Sequence, residues 1–171
     1  MADVTITEAL AELKTLSKRL EKKREFVLGH LMYHASMKDP LTKDGGAPTV
    51  LVREQQAIGD LEERIVLIRT VIQDANLRTQ ITVEGQTRTV AEWLAWRKDV
   101  MPARRTFLGQ IGSSIQQRRR DFTAKAQATP EDIVVNIDET VLAQEWQAFE
   151  TIVGTLDGQL SLKNATTLVA L

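Results

Sequence analysis

His30 and His34 stand four residues apart, the step that sets two imidazoles on one face of a helix, where a metal ion can bridge them. A third ligand is needed, and Asp39 is the available carboxylate nearby. The competing reading is that polar or cationic residues favour the negative end of a helix. Arg118-Arg119-Arg120 is a cluster of the kind that neutralises phosphates. No aromatic residue interleaves it for base stacking, and an acidic segment follows, so a solvated or intramolecularly paired helix face is the simpler reading. Trp93, Trp96 and Trp146 could line a ligand pocket, but aromatics at helical spacing more often serve as core or subunit contact. Glu62-Glu63 and Asp138-Glu139 are neighbours along the chain rather than partners across a cleft. General acid–base chemistry needs one carboxyl in an environment that raises its pKa, and Asp138 is better explained as a helix cap. Gly109-Gln110-Ile111-Gly112-Ser113-Ser114 lacks both the G-K-S/T of a phosphate loop and the G-x-S-x-G of a nucleophile elbow. Asn164-Ala165-Thr166 matches a glycosylation acceptor, a match without meaning where no signal peptide is read.

The side chains would be positioned by long helices. Ile6, Leu13, Leu20 and Val27 recur at seven-residue steps, with Leu10, Leu16 and Leu31 filling the same face. Leu51, Ile58, Ile65 and Ile72 repeat the pattern, helped by Leu61, Ile68 and Ala75. Such seams belong to helices packed along their length. Between them Ser36–Pro48 carries two Pro, two adjacent Gly and two Asp, which cannot continue a helix. The spacing therefore predicts a first helix from about Thr7 to Ala35, after a short lead-in over Met1–Thr5. Thr5 or Thr7 would cap it, with Glu8 near its positive end. A second helix would follow Pro48 and Thr49 and end near Asn76. Together they form a long antiparallel, coiled-coil-like hairpin.

The alternation in Thr79–Arg88 around Glu84-Gly85 predicts a β-hairpin, which needs a third strand or a helix to lie on. Thr89-Val90-Ala91-Glu92 matches a capping box and opens a third helix. Leu94, Met101, Leu108, Ile115 and Phe122 recur along it every seven residues, with Pro102 predicting a kink or break. Gly109 and Gly112 would mark a close backbone approach. Ala126–Pro130 is a linker, Asp132–Ile137 a strand to partner the hairpin, and Asp138 the cap of a last helix ending at Gly158. The remainder, Gln159–Leu171, is an extended tail.

Composition excludes several classes. The 171 residues suit one domain, 43% hydrophobic and 5% aromatic, with no Cys and a net charge of −1. The absence of Cys removes thiol chemistry and disulfides, and the net charge gives no global attraction to nucleic acid or anionic membrane. Locally the picture differs. Arg97, Lys98, Arg104, Arg105, Arg118, Arg119, Arg120 and Lys125 face only Asp99 and Asp121, a net of +6. Glu131, Asp132, Asp138, Glu139, Glu145, Glu150 and Asp157 follow with no Lys or Arg among them, a net of −7. Opposite segments of this kind neutralise one another, within one chain or between neighbours.

One resemblance spans nearly the whole chain. Its marks are Asn76 with Thr79 after the helical hairpin, then Gly85, Thr87, Thr89 and Ala91 at the entry to a long helix. A step from Val134 or Val135 to Asp138 follows, and the chain closes on Leu156, Asp157, Leu160, Asn164 and Thr166. This order resembles the septicolysin-like family, small helical proteins of bacterial and phage genomes. Pro102 and Arg118–Arg120 fall outside the family pattern. The resemblance brings no catalytic motif, implies a phage particle as a setting, and hints by its name at lysis.

The expectation is a mainly α single domain: residues 1–77 a helical hairpin, 78–88 a β-hairpin, 89–128 a kinked basic helix, and 131–171 a strand, acidic helix and extended tail. The expected function is a non-enzymatic structural or assembly protein that forms a homo-oligomer or attaches to a larger body, for example as a capsid-associated virion component. A membrane-active oligomer of septicolysin type is the alternative, and a nucleic-acid-binding accessory protein the third. Interface candidates are Trp93, Trp96, Arg104, Arg105, Arg118, Arg119, Arg120 and Trp146; no catalytic or cofactor-binding residue is assigned, and His30 and His34 are the metal candidates. Expected partners are further copies of the chain and capsid or other virion proteins, with no small-molecule substrate. With neither a signal peptide nor a transmembrane stretch read, the expected location is the virion or the cytoplasm.

Overall fold

Apolar residues at helical spacing cover most of the chain, and a computed structural model, which describes residues 3–126, 129 and 132–171, is mainly α. The order is β1 (Asp3–Thr5), α1 (Ile6–Gly29), α2 (Ala47–Arg78), β2 (Gln80–Val83), β3 (Gln86–Thr89), α3 (Val90–Ala95), α4 (Met101–Ala126), α5 (Glu139–Thr166) and β4 (Leu168–Ala170). Two antiparallel pairs, β1 with β4 and β2 with β3, make separate two-stranded sheets. The chain divides into two compact units, Met1–Ala75 with Asn164–Leu171, and Asn76–Lys163.

In the first unit α1 and α2 run antiparallel, as the pairing of Glu12 with Arg64 and of Lys23 with Glu54 requires. Ile6, Ala9, Leu13 and Leu16 of α1 meet Ile68 and Ile72 of α2, and Val169 of β4 closes that core. Leu10 is 44% exposed and Leu31, beyond the helix, 56%. The seam is thus narrower than the leucines alone implied. The loop is built rather than merely polar. Asp39 accepts from the backbone N–H of Leu41 and of Ala47, and Leu41 buries against Ala47, Val50 and Phe26. Gly45 and Gly46 take φ of 101° and 89°, which residues with a Cβ rarely adopt. Pro48 lies inside the first turn of α2 instead of before it, where its missing N–H costs nothing.

In the second unit Glu84 and Gly85 both have positive φ, 47° and 75°, the geometry of a tight hairpin turn. The hairpin rests on helices. Ile81 and Val83 pack with Val90, Trp93, Leu156 and Leu160, and the indole N–H of Trp93 donates to the Ile81 carbonyl at 3.3 Å. The third strand expected at Asp132–Ile137 does not form. Val134 is 84% exposed there, because β-branched composition makes a strand only where a partner edge is in reach.

Three further expectations change. The lead-in contains β1, since Val4 pairs with Val169. α5 runs through Gly158 to Thr166: a mid-helix glycine costs about 1 kcal/mol, while Leu156 and Leu160 are buried on either side of it. The tail is therefore helix followed by β4. Gln127, Ala128 and Pro130 of the expected linker, and Glu131 of the acidic segment, lie outside the described residues. Pro102 does disrupt its helix, by way of a π turn over Trp96–Val100. There the Met101 N–H reaches back five residues to the Trp96 carbonyl, a register shift that relieves the clash a proline ring makes with the preceding turn.

The two units are built alike. Thr5 (φ −73°, ψ 156°) and Thr89 (φ −66°, ψ 155°) each turn a strand into a helix through a complete capping box. In both, the Thr N–H donates to the Glu carboxylate at 2.7 Å and the Glu N–H to the Thr hydroxyl at 3.2 Å. The next residue repeats the match: Ile6 N–H donates to the Thr167 carbonyl, and Val90 N–H to the Thr79 carbonyl. Ile68 and Ile72 in one core correspond to Leu156 and Leu160 in the other, and Val169 corresponds to Ile81.

The caps make a pH prediction. Glu8 and Glu92 are held below the ordinary carboxyl value of 4.5, first by the Thr5 or Thr89 backbone N–H and then by the Thr hydroxyl. A depressed folded pKa gives stability that is present above the unfolded value and lost as pH falls through the folded one. Thr5→Ala and Thr89→Ala should each cost about 1 kcal/mol at neutral pH. Melting temperatures taken between roughly pH 6 and pH 3 should fall less steeply for the double variant than for the parent chain.

Candidate assembly interface

Within the second unit, α4 and α5 lie antiparallel with basic residues on one and acidic residues on the other. Among the described residues, three ion pairs join α4 and the π turn that precedes it to α5. Arg97 meets Asp157 at 2.7 Å, Arg105 grips Glu150 through two bonds of 3.1 and 2.9 Å, and Arg119 grips Glu139 in the same two-pronged way. The opposite charge of the two segments is therefore satisfied inside the chain at these positions. Side-chain exposures run from 35% to 70%, so each pair contributes only about 0.2–1 kcal/mol. The ladder sets register more than it holds the helices together.

Apolar burial fades along this pair of helices. Trp93 is fully buried and therefore core, not surface. From it a chain of rings runs through Trp96 (5.6 Å) and Phe149 (6.0 Å) to Trp146 (6.5 Å), with the Arg105 guanidinium over Phe149. Beyond Leu108 and Phe149, both buried, Phe122 is 52% exposed, Val141 48% and Trp146 36%. Two open grooves continue there. One, of about 330 Å³, lies among Ile115, Arg118, Arg119, Phe122 and residues 133–137. The other, of about 310 Å³, lies among Leu108, Gly109, Gly112, Ile115, Leu142 and Trp146. Ile115 lines both. Arg104, Arg118 and Arg120 are exposed, and Arg118 edges the first groove.

No family model, no curated protein and no solved structure matches the chain.

The remaining candidates are dispersed. α1 ends at Gly29, so His30 and His34 do not share a helix face. His30 Nδ1 lies 2.7 Å from the Phe26 carbonyl, and His34 Nδ1 the same distance from the Ser36 hydroxyl. Asp39 already accepts two backbone N–H groups, and no group of three His, Asp or Glu side chains among the described residues could hold a metal ion. Glu62 pairs with Arg24. Asp138 caps α5, accepting from Thr140 and Val141. Gly109 and Gly112 face open space rather than another backbone, since a Cβ at either would meet nothing within 4 Å.

Unread in the sequence were the open grooves and the β1–β4 pair. The second had a signal: Thr-x-x-Glu occurs at both Thr5 and Thr89, and an apolar triplet, Leu168–Ala170, stands where β2 stands in the first half.

Two outcomes follow. Gly109→Ala and Gly112→Ala should each stabilise the chain by about 0.5–1 kcal/mol in urea unfolding, because helix propensity rises and no contact is lost. Arg105→Glu should destabilise by up to about 1 kcal/mol, and adding Glu150→Arg should restore most of that, with both effects shrinking at high salt.

Proposed function

We propose that this chain is a non-enzymatic assembly protein, forming a homo-oligomer or attaching to a larger body, and that the α4–α5 face of its second unit takes part in the attachment. The observation that carries this reading is the set of exposed apolar side chains, Phe122, Val134, Ile137 and Trp146, lining two open grooves that share Ile115. Contiguous apolar surface of this kind on a helical protein marks an interaction site. The rim of the first groove is cationic at Arg118, which suits a polar rim around an apolar centre. Two of the acids weighed for catalysis are occupied structurally, Glu62 by Arg24 and Asp138 by the α5 N-terminus. The resemblance to septicolysin-like proteins supports a virion surface as the larger body.

Native mass across a wide concentration range tests the proposal. A multimer is expected, and Phe122→Glu with Val134→Glu should shift it toward monomer while leaving the helical circular dichroism intact. A parent chain that stays monomeric throughout, and does not sediment with particles from its source, overturns the reading.

A further inference from the structure

The β1–β4 pair repeats the β2–β3 pair in detail. Each sheet is antiparallel, each sits at a Thr-capped helix start, and each is anchored by the same backbone bond one residue on, Ile6 to Thr167 and Val90 to Thr79. Each core takes its last strand from the other half of the sequence. Val169 completes the core of α1 and α2, and Ile81 and Val83 complete that of α3 and α5. One difference separates the two joints. β2 and β3 are tied by the two-residue turn Glu84-Gly85, whereas β1 and β4 are joined only through the helices between them and have no short link.

We propose that β1 and β4 form an exchangeable joint through which two copies of this chain unite, β4 of each pairing with β1 of the other. This rests on the assembly reading and adds to the α4–α5 face a second contact, in the first unit. The pair is small, three residues on each strand, and of β4 only Val169 is buried, with Leu168 61% exposed. Detaching β4 uncovers the backbone edge of β1 and the apolar ends of Ile6 and Ile72. The surface so exposed is already fitted to one segment, Leu168–Ala170, and a second copy supplies it with identical contacts. Reciprocal exchange re-forms both β1–β4 pairs and closes the dimer. The intramolecular pairing is concentration-independent, so exchange grows with protein concentration and on refolding at high concentration. The β2–β3 joint cannot follow, because its turn holds the strands together.

The chain has no Cys, so single cysteines report the joint cleanly. Asp3 and Ala170 are exposed and directly opposed. They flank the hydrogen-bonded pairs and so form a close, non-hydrogen-bonded pair. Thr82 and Thr87 occupy the equivalent positions in the hairpin. Full-length Asp3→Cys and Ala170→Cys chains are mixed in equal amounts, refolded together at increasing concentration and oxidised, and disulfides are mapped by peptide mass spectrometry. The interchain 3–170 bond should exceed 3–3 and 170–170 bonds by about tenfold or more, in line with a docked rather than random encounter. A Thr82→Cys and Thr87→Cys mixture should show no such excess. The Asp3→Cys/Ala170→Cys chain, oxidised dilute, should close within itself, verifying that the bond can form. A parent chain that is multimeric by native mass but gives no excess of 3–170 bonds overturns the joint and leaves assembly standing; a parent chain monomeric at every concentration overturns both.

Discussion

Everything in this fold turns on how an extended segment becomes a helix. At Thr5 and Thr89 the backbone leaves the β region, and four orphan donors open at the helix start. Thr and Glu satisfy two of them reciprocally. A third, on Ile6 or Val90, is met by a carbonyl at the end of another helix, Thr167 or Thr79. That last bond places a strand from one half of the sequence against a helix start in the other. The short sheets follow from it. Neither two-stranded ribbon would persist alone, and each is held by the buried residue that the bond brings into line, Val169 or Ile81.

Two kinds of force divide the remaining work. Apolar burial, roughly 1.5–3 kcal/mol for each fully covered aliphatic side chain, concentrates near the strand-bearing ends, at Ile6, Ile68, Trp93, Leu156 and their neighbours. Away from those ends the charge ladder takes over, through Lys23, Arg24 and Arg64 in one unit and Arg97, Arg105 and Arg119 in the other. Ion pairs at half-exposed positions contribute little net stability, yet they penalise every wrong register. The helical pairs are thus strongly held at one end and aligned beyond it. The distal loop of the first unit restores burial through Leu41, Ala47 and Val50. The corresponding stretch of the second leaves Val134 and Ile137 in solvent, and that asymmetry is the main difference between two otherwise similar units.

Sequence periodicity by itself determined the long helices, the turn at Glu84-Gly85, the Thr89–Glu92 cap, the break near Pro102 and the match of basic with acidic segment. Each is a local rule: a side-chain period, a backbone that only certain residues adopt, a missing N–H, a charge count. Tertiary structure decided the rest. Trp93 became core rather than contact because Ile81 and Leu156 surround it, and His30 parted from His34 because α1 stops at Gly29. Asp132–Ile137 stayed out of any sheet for want of an edge, while Leu168–Ala170, no richer in strand formers, joined one because Asp3–Thr5 offered its own. Strand formation, burial and exposure depend on which distant segment arrives, and the spacing of residues along a chain carries no measure of that distance.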